Sequence, residues 1–118
     1  MRLMIVDDAS FMRVAIRRMI ETKEYEVVCE AEDGQQAIEK FQKYRPDIIT
    51  MDITMPNLSG IEALKEIKKL SSTVKVIMVS AMGQEALIRE AVMHGANSFI
   101  VKPFKEDKLI EVLESLKS

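Results

Sequence analysis

The chain has 118 residues, 47% of them hydrophobic and 31% charged, with seventeen basic side chains against nineteen acidic ones and a net charge of −2. That length suits one domain with a substantial core, and that balance of apolar and charged residues excludes a disordered chain. The near-neutral charge offers no field to recruit nucleic acid or an anionic membrane, no apolar run approaches the roughly 18 residues of a membrane span, and the amino terminus lacks a signal-peptide pattern.

A short apolar strand is expected over 2–6, stopping at Asp7 and Asp8. Ser10 opens a helical pattern with Met12, Ala15, Ile16, Met19 and Ile20 on one face. Arg13, Arg17 and Arg18 lie off that stripe with Phe11 and Val14, as a solvated face or a docking surface. A second strand is expected over 26–31. Within it, Cys29 is the single cysteine of the chain, so no internal disulfide can form and a reducing cytoplasm fits. A buried apolar thiol is the better reading of Cys29 than a reactive one. Asp33-Gly34 marks a turn into a helix with Ala37, Ile38 and Phe41 inward.

The third strand, 48–52, sits between Pro46 and Pro56 and closes on Asp52. Alone, an aspartate there reads equally as a cap or as a group aimed into the crevice above the strand ends. Asn57-Leu58-Ser59-Gly60 leads to a helix with Ile61, Leu64, Ile67 and Leu70 inward. A fourth strand follows over 74–79, ended by Ser80. The next helix runs through Leu87, Ile88, Ala91 and Val92, and His94 before Gly95 reads as a helix-end or surface residue. A fifth strand over 98–101 ends at Lys102-Pro103, and a last helix carries Leu109, Val112, Leu113 and Leu116. Alternating strands and helices, five of each, predict an α/β fold, a doubly wound parallel sheet with helices on both faces. No repeat, low-complexity tract or linker interrupts it, so 1–118 reads as one domain.

Parallel strands put all their carboxyl ends on one edge, so Asp7, Asp8, Asp52, Ser80 and Lys102 can meet in one crevice. Three carboxylates together need a proton or a cation between them. Oxygen donors without histidine or cysteine point to magnesium. With a lysine and a hydroxyl added, the set suits phosphoryl transfer to a carboxylate nucleophile.

These residues carry a resemblance. Val6-Asp7-Asp8, Met51-Asp52-Ile53-Thr54-Met55-Pro56, Ser80-Ala81-Met82-Gly83-Gln84 and Lys102-Pro103-Phe104, in order at matching strand ends, resemble the receiver domain of two-component response regulators. Within that family the chain is most similar to stand-alone, CheY-like chemotaxis regulators. The resemblance implies a flavodoxin-like strand order of 2-1-3-4-5. It implies that Asp52 accepts a phosphoryl group from a sensor histidine kinase, and that Mg²⁺ is held by Asp7, Asp8, Asp52 and the backbone carbonyl of Thr54. Lys102, in a cis peptide with Pro103, would bond the phosphoryl group. Ser80 and Phe99 would act as a coupled switch, Phe99 standing where the family often has tyrosine. Thr54 and Met82 fill positions that tune dephosphorylation; neither is a strong base, which predicts slow-to-moderate phosphate loss. Output would pass through the fourth helix, fifth strand and fifth helix near Leu87, Phe99 and Lys105, to a flagellar switch component or a phosphatase. The implied protein is a cytoplasmic, monomeric signalling protein rather than an enzyme, without nucleic-acid or membrane contact of its own.

The rivals fare worse. A flavodoxin-type carrier would place a phosphate against Asp7 and Asp8. A haloacid-dehalogenase-type phosphatase wants a second aspartate where this chain has Thr54. A receiver belonging to a larger regulator with DNA-binding or enzymatic output fits the same residues.

Overall fold

In a computed structural model, which describes residues 1–21 and 24–117, the strands β1 (Arg2–Val6), β2 (Glu26–Ala31), β3 (Ile48–Asp52), β4 (Lys75–Ser80) and β5 (Ser98–Val101) alternate with five helices. These are α1 (Ser10–Ile20), α2 (Gly34–Tyr44), α3 (Gly60–Leu70), α4 (Glu85–Met93) and α5 (Glu106–Ser115). The strands form one parallel sheet in the order β2-β1-β3-β4-β5, with one irregularity of register between Leu3 and Met4.

Period-two alternation divides the core into two layers. Met4, Val6, Ile49, Met51, Val76 and Met78 face one side, where they meet Phe41 of α2, Leu64 and Ile67 of α3, and Ala91 of α4. Leu3, Ile5, Ile48, Ile77 and Val79 face the other, against Ile16 and Ile20 of α1 and Leu109 and Leu113 of α5. Burial on both faces is what a doubly wound sheet requires of its central strands. No helix among the described residues is long and apolar enough to cross a membrane.

Some local expectations shift. The fourth strand runs Lys75–Ser80 rather than 74–79. Its ladder continues to Ser80, which pairs with Val101, while Val74 is buried just before the strand begins. Leu70, expected inward, is exposed, and so is Val92. Leu70 is the last residue of α3, and α4 packs shallowly, with Ala91 its buried residue. Ser10 is the first helical residue of α1 and Ala9 its cap, without a side-chain bond. Asp33 does more than turn the chain: its carboxylate caps α2 by accepting from Gln36 N at 2.8 Å and from Asn57 Nδ2 at 2.8 Å. Those bonds to the charged form hold its pKa below the ordinary carboxylate value. Cys29 is half-buried against the core, and burial pushes its thiol pKa up, in keeping with a packing role.

Candidate functional site

Four strand ends converge on one crevice. Asp7 follows β1 directly and is only 1% exposed. Its amide donates to Ala31 O at 3.1 Å, one carboxylate oxygen accepts from Ala9 N at 2.9 Å, and the other accepts from Lys102 Nζ at 3.1 Å. Asp52 closes β3, next to β1 in the sheet, and its Oδ2 lies 3.5 Å from the same ammonium. Asp8 lies exposed at the rim. One oxygen from each of Asp7, Asp8 and Asp52 fits within 4.8 Å of the others.

That crowding has an electrostatic consequence. Burial, followed by the charge of Asp7, raises the pKa of Asp52 to about 6, with Asp8 adding to the rise and Lys102 opposing it. One lysine cannot neutralise three carboxylates. The donor set is all hard oxygen, with no imidazole or thiolate in the cluster, and such a set fits a small divalent cation.

Lys102 reaches this position from the end of β5. Its N–H donates to Ser80 O at 2.8 Å, and its peptide bond to Pro103 is cis. Ser80 closes β4 fully buried, and its Oγ has no hydrogen-bond partner. A buried orphan hydroxyl beside an acidic cluster is a donor in reserve. Thr54, two residues past Asp52, is exposed, and its Oγ1 accepts from Gln84 Nε2 at 3.0 Å. Met82 is 79% exposed on the loop before α4, and Phe99 points outward at 45% exposure. Both line an apolar groove of about 730 Å³ with Ile88, Arg89, Val92 and Met93. Leu87 turns from this groove toward the core, whereas Lys105 is exposed.

Residues 3–114 match the response regulator receiver domain family. The chain belongs to that family. Among its relatives, the chemotaxis protein CheY of Bacillus subtilis is 50% identical over 112 residues, covering 95% of this chain and 93% of that one. Protein CcdB of the same organism is 49% identical over 112 residues, with 95% and 93% covered. The solved CheX–CheY–BeF3–Mg complex from Borrelia burgdorferi contains a chain that superposes with a TM-score of 0.93 at 33% identity, covering 98% of this chain and 87% of that one. The receiver sheet order and the two helical layers described above accord with these likenesses.

Two contributors to the site escaped the sequence reading. Gln84 ties the loop after β3 to the loop after β4, donating to Thr54 Oγ1 and accepting from Ala81 N at 2.7 Å. Arg13, read as solvated or docking, is instead 13% exposed and bonded to Glu30 and to the backbone of Asp7. Arg17 likewise pairs with Glu30, while Arg18, Phe11 and Val14 are exposed as expected. Periodicity alone could not reveal either role, because both depend on residues distant in the chain. An arginine six residues past a strand-end aspartate was the available signal for Arg13.

Proposed function

We propose that this receiver domain accepts a phosphoryl group on Asp52 from a phosphohistidine of a sensor kinase. A carboxylate oxygen of Asp52 bonds to phosphorus as the bond from phosphorus to the histidine nitrogen breaks. The electron pair stays on that nitrogen and, because the other ring nitrogen carries a proton, the kinase side chain leaves as neutral imidazole while Asp52 becomes an acyl phosphate. Bound at Asp7, Asp8, Asp52 and the carbonyl of Thr54, Mg²⁺ would supply charge neutralisation for the transferring group. Lys102, already poised over both Asp7 and Asp52, pairs with a phosphoryl oxygen. The Ser80 hydroxyl donates to another, gaining the partner it lacks. Phe99 follows the Ser80 loop and alters the outer groove, while Thr54 and Met82 set the phosphate lifetime. New contacts at Lys102 and Ser80 act only in the phosphorylated state, and such differential contact energy is what shifts a two-state population.

The observation that carries this reading is the joint reach of Lys102 Nζ to Asp7 at 3.1 Å and Asp52 at 3.5 Å beside three clustered carboxylates. Incubation with acetyl phosphate and Mg²⁺, followed by intact mass, tests it. The wild type should gain one phosphoryl group and Asp52→Asn none; an unmodified wild type overturns the reading.

We further propose that residues 1–118 form a single-domain chemotaxis regulator. The support is near-full-length coverage of CheY of Bacillus subtilis and the likeness to the Borrelia CheY structure. On this reading the chain is a cytoplasmic monomer, assists only its own phosphorylation and dephosphorylation, and signals to a flagellar switch component or meets a phosphatase.

A further inference from the structure

We infer that Arg13 is a positioning residue for the metal-binding turn: it holds the Asp7–Asp8 peptide in the geometry that Mg²⁺ requires. The inference rests on the metal reading above. The guanidinium uses three nitrogens toward two strands. Nη1 donates to the backbone carbonyl of Asp7 at 2.6 Å, Nε donates to Glu30 Oε1 at 3.1 Å, and Nη2 lies 3.7 Å from Glu32 Oε1. Glu30 is on β2 and Glu32 just beyond it, so the side chain links α1, the end of β1 and β2.

The peptides around Asp7 are therefore pinned from both sides. Its N–H is held by Ala31 O and its C=O by Arg13. A carbonyl fixed in this way fixes the plane of the Asp7–Asp8 peptide, and that plane sets the directions of both carboxylates. Asp7 has further anchors at Ala9 N and Lys102, but exposed Asp8 depends on its backbone for direction. The guanidinium reaches the Asp7 carbonyl and the carboxylates of Glu30 and Glu32 through three separate nitrogens held in one plane, a spread that the single nitrogen of a lysine does not reproduce.

The sign of the effect separates geometry from charge. Coulomb's law makes any nearby cation unfavourable to Mg²⁺, so deleting an arginine should tighten metal binding if charge alone matters. Loss of positioning should weaken it. Arg17 supplies the control. It sits one turn later on the same helix and bonds the same Glu30 at 2.9 Å through Nε, but makes no hydrogen bond to β1 among the described residues.

Amide NMR titration of the metal-free full chain with MgCl₂ gives the affinity directly, with acetyl phosphate labelling at saturating Mg²⁺ as the second readout. We expect Arg13→Met to bind Mg²⁺ about tenfold more weakly and Arg17→Met to stay within about twofold of wild type, the size of effect typical of groups that orient metal ligands. Labelling by Arg13→Met should recover as Mg²⁺ is raised. If Arg13→Met does not fold, Arg13→Met combined with Glu30→Gln avoids leaving a carboxylate short of its partner and should show the same weakening. Equal or tighter Mg²⁺ binding by the Arg13 variants than by Arg17→Met overturns the inference. A wild type that binds no Mg²⁺ overturns the metal reading itself.

Discussion

Asp52, the proposed phosphoacceptor, also carries a cost to the fold. Its folded pKa of about 6 lies above the ordinary value of 3.8, so the native state holds a proton that the unfolded state releases as pH rises from about 4 to about 6. Across that window the carboxylate removes up to about 3 kcal/mol of stability, and above pH 6 the loss is complete. Asp52→Asn has no such titration. In metal-free buffer, urea denaturation should therefore show the variant gaining on the wild type from pH 4 to 6, then keeping a constant lead. A stability difference that is flat with pH would contradict the pKa shift. The destabilisation is the physical counterpart of the proposed cation site: the burial and the repulsion that raise the pKa are both offset when positive charge enters. Lys102 relieves part of it already, and Ser80 keeps a donor unspent.

At the scale of elements, the site depends on how closely α3 approaches the end of β3. Gly60 N donates to Ile53 O at 2.8 Å, and a Cβ at position 60 would lie 2.0 Å from the carbonyl oxygen of Asp52. No side chain fits there without moving the backbone of Asp52 itself. Gly60→Ala should cost about 1–3 kcal/mol, read as a lower urea midpoint, and should slow labelling by acetyl phosphate. A variant with wild-type midpoint would show that the contact is slack. Ser59, capping α3 through Glu62 N at 3.2 Å, and Asp33, capping α2, hold the starts of the helices that frame this edge. Gln84 then bridges the two loops on either side of Ser80 and Asp52, so a shift in one is felt in the other.

The whole molecule is one sheet between two helical layers, and its acidic edge and apolar outer groove are separate surfaces joined by β4 and β5. Ser80 ends one strand and Phe99 lies within the other, Met78 pairing with Phe99 and Ser80 with Val101. On the proposed function, a charge change at Asp52 reaches the groove of Met82, Ile88, Val92 and Phe99 through these two strands. If the output is flagellar, expressing the chain in Bacillus subtilis lacking its own CheY should alter flagellar rotation bias, and Asp52→Asn should not. Unchanged bias with both forms, in a strain where the wild type becomes phosphorylated, would remove the chemotaxis assignment and leave the receiver assignment standing.

The sequence by itself determined the elements, their alternation and the residues at the strand ends. Apolar periodicity records which face of a strand or helix is buried, and Asp7, Asp8, Asp52, Ser80 and Lys102 follow their strands at positions that a parallel sheet must bring to one edge. The strand order came from family likeness, since alternation alone does not say which strands are neighbours. Only the tertiary structure decided how far apart those groups lie, which of them Lys102 bonds, and that Ser80 is left without a partner. It also decided that Val92 and Leu70 face outward, and that Arg13 is clamped between Glu30 and the Asp7 carbonyl. The reason is one of range. Periodicity encodes contacts within a few residues, whereas a hydrogen bond between Lys102 and Asp7 joins positions at opposite ends of the chain and exists only once the sheet has closed the distance.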